Sequence, residues 1–167
     1  MINIIINKIR EDEFLNFVAQ VNVAEPDEEI TVYLNSGGGD PTLVPAFRRI
    51  MEERQITLVG HGKLMSAALD LFLLTNTKRE VLDYTLGLFH QAVLTKVTIN
   101  QESKVLAQSD LKKIWKNTKY GEGLVEDFLE LTPIELAKVK KGEDLYFDHE
   151  KLRKALNKSE NFFNNKK

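Results

Sequence analysis

Ile30-Thr31-Val32-Tyr33-Leu34-Asn35-Ser36-Gly37-Gly38-Gly39 is the stretch from which the fold can be read. Its first five residues are apolar, aromatic or β-branched and suit a buried strand. Three glycines then allow the backbone to turn sharply. A helix is expected after them, with Leu43, Phe47, Ile50 and Met51 on its inner face and Pro41 and Pro45 confined to its first turn. The unit is strand, glycine turn, helix.

The same unit recurs on either side. Upstream, Ile2 to Ile6 is a β-branched run, and Phe14, Leu15, Val18 and Val21 follow on one helical face. Glu11, Asp12 and Glu13 fall in that helix's first turn, where acidic groups complement the macrodipole. Downstream come a strand over Ile56 to Gly60, a compact apolar helix over Ser66 to Leu74, and a strand over Leu86 to Phe89 that reaches His90. This order predicts an α/β fold, a mainly parallel sheet covered by helices. Ligands bind at the carboxyl ends of strands in such sheets, and Gly37 to Gly39, Gly62 to Ser66 and His90 all fall there.

Beyond residue 92 the pattern changes to a C-terminal helical part. Val93 to Ile99 alternates like an extended strand, and Ser103 to Tyr120 reads as a helix stopped by Gly121 and Gly123. Thr132-Pro133-Ile134-Glu135 is a capping box with proline at its favoured position. Asp148 can cap a last helix that turns Leu152, Ala155 and Leu156 inward. A single domain over residues 1–156 is expected, followed by an Asn- and Lys-rich tail over 157–167 that frays.

Composition narrows the function classes. The 167 residues are 43% hydrophobic and 29% charged with a net charge of −2, and no basic stripe is present for a nucleic acid. Cysteine is absent, which removes disulfides, thiolate metal sites and a cysteine nucleophile. Met1 to Ile6 does not read as a signal peptide, and Leu64 to Leu74 is too short and too polar to span a bilayer. Cytoplasmic residence without membrane association is the expectation. His61, His90 and Asp70 match no ligand spacing, so neither a metal nor a cofactor is expected.

Taken one at a time, the polar residues at the strand ends are open to two readings. The glycine triplet is either a tight turn or a cradle of bare N–H groups for an anion or oxyanion. No Lys-Ser or Lys-Thr pair follows it, which argues against a phosphate loop. Ser66 is either an N-cap or a nucleophile. His90 by itself carries little, and Asp144 is one of 25 acidic residues. Nucleophilic catalysis needs a hydroxyl, an imidazole to take its proton and a carboxylate to orient the imidazole, in any chain order.

Four segments together resemble the ClpP-type serine peptidases. Residues 30–39 are similar to that family's strand and Asn-Ser-Pro-Gly-Gly turn. Gly62-Lys63-Leu64-Met65-Ser66-Ala67-Ala68 resembles the segment around its nucleophile. Leu88-Phe89-His90-Gln91 resembles its apolar-His-Gln segment, and Asp144-Leu145-Tyr146-Phe147 the stretch with its aspartate. Lys78-Arg79 falls where the family carries such a pair. The likeness runs from about Ile2 to Leu156. It implies a ClpP/crotonase-like fold, a Ser66, His90, Asp144 triad, and an oxyanion hole made by the N–H groups of Gly39 and Ala67.

The resemblance also implies a peptide or unfolded-protein substrate and self-association, in which Ile114 and Trp115 are candidate contacts. The chain opens almost directly on its first strand, without the extension that the family uses to meet its ATPase. Activity independent of a Clp ATPase is therefore expected. Gly37 replaces the family's proline, Ala67 and Ala68 its Met and Gly, and Asp70 a large apolar residue. A lone buried carboxylate is costly, so Asp70 is expected to pair, with His61 or Lys63 as candidates. The family's glycine-rich segment after His-Gln-Pro is replaced by Ala92-Val93-Leu94-Thr95-Lys96-Val97. Two other readings share the fold: a catalytically silent assembly or adaptor subunit, and a crotonase-type acyl-CoA enzyme.

Overall fold

Two β-branched runs pair at one edge of the sheet. In the computed structural model, which describes residues 1–91 and 104–166, β1 (Ile2–Ile6) lies parallel to β2 (Ile30–Ser36). Ile4 stands opposite Val32 and Ile6 opposite Leu34, all four buried. β2 alternates buried and half-buried side chains along its length, as a strand with one face on the core should. β3 (Thr57–Met65) is parallel to β2 on its other side, with a register shift between Leu34 and Ser36.

β3 is long enough to serve two partners. Its first half pairs with β4 (Arg79–Val81) and its last three residues with β5 (Leu86–Phe89), both parallel. β6 (Leu145–Phe147) then returns antiparallel to β5. Among the described residues the sheet is thus mixed but mostly parallel, in the order β1-β2-β3-β5-β6 with β4 beside β3.

The helices follow from the apolar pattern. α1 (Glu11–Val23) buries Phe17 and Val21 and packs Phe14 and Val18 partly against the core, while Leu15 is exposed. The working stripe is Phe14, Phe17, Val18 and Val21, an i, i+3, i+4, i+7 set, so Phe17 replaces Leu15 in the expected face. Phe14 and Phe17 both meet Phe47 of α2 (Val44–Glu53), at 4.9 and 5.3 Å between ring centroids. Pro41 opens a short 3-10 turn before α2, and Pro45 lies in α2's first turn. α3 (Ala67–Leu74) is buried at all eight positions, as its uninterrupted apolar character requires apart from Asp70.

α4 (Lys104–Leu129) does not stop at Gly121 or Gly123 as expected. A Cβ at Gly121 would meet Leu74 Cδ1 at 3.0 Å, so this glycine admits α3 close to α4 rather than ending the helix. α5 (Pro133–Lys140) starts at the capping box, with Thr132 Oγ1 accepting from Glu135 N and Glu135 accepting from Thr132 N. α6 (His149–Asn164) is capped by Asp148, whose Oδ1 accepts from Lys151 N.

The expected frayed tail is instead the second half of α6. Ser159 is buried and donates to Leu73 O while accepting from Arg79 Nη1, and Phe162 meets Phe128 edge-on. The Phe162 ring against α4 and the buried Ser159 clasp on Leu73 of α3 hold this segment to the core. The extended segment expected over 93–99 lies outside the described residues, as do the side chains of Ile114 and Trp115. Among the described residues no helix is long and apolar enough to cross a membrane.

Candidate active site

The end of β3 and the start of α3 meet at Ser66. Its N–H donates to Leu88 O at 2.9 Å, and its own carbonyl accepts from Leu69 and Asp70 at the base of α3. The backbone there is left-handed, with φ 53° and ψ −128°. For a residue with a Cβ this conformation costs about 1–3 kcal/mol and persists only where the surroundings enforce it. Ser66 does occupy the N-cap position of α3, but its side chain makes no cap hydrogen bond to the helix. A hydroxyl raised on such a strand-to-helix corner is left free to face a partner across the sheet edge.

That partner is delivered by strand register. Met65 pairs with Leu88, which brings the residues just past β3 beside those just past β5. Phe89 pairs with Leu145 in the antiparallel ladder, so His90 and Asp144 are the next opposed pair. Ser66 Oγ lies 2.7 Å from His90 Nε2, and His90 Nδ1 lies 3.0 Å from Asp144 Oδ1. With the Nδ1–H tautomer, His90 donates to Asp144 and accepts from the Ser66 hydroxyl. The three side chains expected from sequence are brought into one hydrogen-bonded relay. His90 and Asp144 are each a little under half exposed, at 41% and 46% of their side-chain surface, so water screens this ion pair more than it would a buried one.

The glycine turn closes the other side. Gly38, at φ 100°, packs so tightly on the corner that a Cβ would lie 2.7 Å from Met65 O and 2.8 Å from Ser66 Cβ. Gly39, at φ 147°, is held by the segment after β1 at Ile9: Ile9 N donates to Gly38 O, and Asp40 N donates to Ile9 O. The Gly38 N–H is taken by the buried Ser36 Oγ at 3.1 Å. By contrast, neither the Gly39 nor the Ala67 N–H makes a hydrogen bond among the described residues. These two bare amides flank the serine, one from the turn and one as the first residue of α3. Such groups can stabilise developing negative charge.

Asp70 departs from expectation. It is buried, its Oδ1 has no hydrogen-bond partner among the described residues, and neither His61 nor Lys63 pairs with it. Burial is the main force pushing its pKa up to about 8, and Glu122 of α4 adds to it by repulsion. His61 instead meets the ring of Tyr33 edge-on, and Lys63 is exposed.

Sequence reasoning missed the supports of this site. Ser36 and Asn35 position the turn: Asn35 Oδ1 accepts from Lys63 N at 3.0 Å, and a Cβ at Gly62 would strike that amide at 2.8 Å. Their only sequence signal is the Asn-Ser-Gly run itself. Arg79 is a structural clasp, donating from Nη1 to Phe72 O, Leu73 O and Ser159 Oγ, and burial lowers its pKa to about 10. Among the described residues no group of three or more His, Cys, Asp or Glu side chains is arranged to hold a metal ion. Compared with known protein families and with curated proteins, the chain matches none.

Proposed function

We propose that this chain is a serine peptidase of the ClpP type, with a ClpP/crotonase-like fold, cleaving peptide bonds through an acyl-enzyme on Ser66. One observation carries the reading: Ser66 Oγ, His90 and Asp144 form a continuous relay at 2.7 and 3.0 Å, with the serine on a strained corner. In the reaction, Ser66 Oγ attacks the scissile carbonyl carbon and its proton passes to His90 Nε2. Negative charge develops on the carbonyl oxygen, opposite the N–H groups of Gly39 and Ala67. Collapse of this intermediate breaks the C–N bond, and His90 returns the proton to the departing amine. Water, deprotonated by His90, then hydrolyses the ester and restores Ser66. Asp144 holds the tautomer and offsets the transient imidazolium charge.

A relay of this kind is not required by crotonase-type chemistry, which needs only the oxyanion donors. The test is labelling by a small fluorophosphonate, compared with Ser66→Ala. The expected result is one label per chain in the wild type and none in the variant. A well-folded wild type that takes no label refutes the peptidase reading and returns the silent-subunit alternative.

A further inference from the structure

One turn along α3 from Ser66, about 6 Å away at 1.5 Å per residue, Asp70 lines a cavity of about 240 Å³. Asp70 is tied to the serine through its N–H, which donates to Ser66 O at 3.1 Å, and Pro41, two residues past Gly39, stands in the cavity wall. Its apolar walls are Pro41, Val44, Pro45, Leu74 and Leu124. Asp70 is nine-tenths buried and its Oδ1 has no partner, a costly arrangement for a carboxyl group. Arg48 lines the same cavity; its Nη2 donates to Glu52 at 3.2 Å, its Nε is unpaired among the described residues, and it forms no ion pair with Asp70. Glu122, behind the wall on α4, is ion-paired with Lys119 at 2.8 Å. Neither neutralises Asp70.

We propose that this cavity is the side-chain subsite of the active serine, and that Asp70 makes it a receptor for a lysine or arginine on the acyl side of the cleaved bond. The assignment rests on the peptidase reading of Ser66. The residue whose carbonyl is attacked lies closest to Ser66, so its side chain is the one able to reach a turn further along α3. A long basic side chain has an apolar stem for the proline, valine and leucine walls and a cationic head for the carboxylate. Its arrival supplies the partner that Asp70 lacks. The raised pKa agrees with this, since a carboxyl short of a cation is held neutral until one enters.

The experiment compares inactivation by two peptidyl diphenyl phosphonates that differ only in carrying lysine or its uncharged isostere norleucine. A side-chain-free fluorophosphonate is run beside them. The lysine probe is expected to react at least 10-fold faster than the norleucine probe in the wild type. That ratio should fall to about 1 in Asp70→Asn and below 1 in Asp70→Leu. It is read within each protein, so a change in overall reactivity cancels, and the isosteric Asn variant covers any folding defect of the Leu variant. Equal rates in the wild type, a ratio unchanged in both variants, or reaction with the fluorophosphonate but with neither peptidyl probe overturns the subsite and leaves the peptidase reading standing. Absence of reaction with all three probes overturns the peptidase reading, and the subsite with it.

Discussion

Replacing Asp70 by asparagine should stabilise the protein at neutral pH, in a way that depends on pH. With a folded pKa of about 8, Asp70 keeps its proton over a range in which the unfolded chain, at about 3.9, has lost it. The unfolded state therefore binds fewer protons than the folded state, and stability falls as pH rises from about 4 to 8. The penalty grows by about 1.4 kcal/mol per pH unit, reaching about 4 kcal/mol at pH 7. Asparagine keeps the shape and removes the titration. The groups facing Asp70 are Glu122 from α4 and Arg48 from α2, and both remain in the variant. Urea unfolding of the two proteins at pH 4, 5.5, 7 and 8 isolates the term, because every other titrating group cancels in the difference. The two stabilities should nearly coincide at pH 4 and separate steadily, to a gap of about 4 kcal/mol at pH 7. Parallel curves across this range refute the account of Asp70 as a neutral, partnerless carboxyl.

The other predictions concern the corner, the relay and a remote control. Asp144→Asn should lower the rate of fluorophosphonate labelling by about 10²–10⁴-fold with little change in Tm, because the wrong tautomer is favoured while the half-exposed pair adds little stability. Ser66→Gly should be more stable than Ser66→Ala by about 1 kcal/mol in urea, since only glycine relaxes the left-handed corner; equal stabilities refute the strain. Gly38→Ala should cost at least about 2 kcal/mol and most of the labelling, because its Cβ has no room between Met65 O and Ser66 Cβ. Thr132→Ala, at the capping box of α5, should cost about 1 kcal/mol in urea while leaving labelling unchanged.

Much of the scaffold could be read from residue patterns, and the reasons are local. β1, β2 and β5 are β-branched or apolar runs bounded by polar and glycine signals, and the starts of α5 and α6 are written in their caps. β4 and β6 have only three residues each, too few for any period to register. α4 runs through Gly121 because close packing against Leu74 offsets a propensity cost of about 1 kcal/mol, whereas Gly123 has no such contact. Phe17 was passed over for Leu15 because one apolar neighbour hides the true face of α1. Of the relay, Ser66 and His90 stood at strand ends, but Asp144 had no signal of its own and was reached only through the family likeness. The unpaired Oδ1 of Asp70 has no sequence signal, since it depends on which side chains of α2 and α4 the fold brings beside it.

The antiparallel return of β6 has a consequence for timing. The hydroxyl and the imidazole belong to the first 90 residues, whereas the carboxylate that meets the imidazole comes 54 residues later, just before a three-residue strand. A growing chain that has already assembled β1 to β5 carries a serine with an unaligned base. Alignment of the imidazole is thus completed only when β6 zips antiparallel onto β5. A chain ending before Asp144 would lack the carboxylate that holds His90 Nδ1.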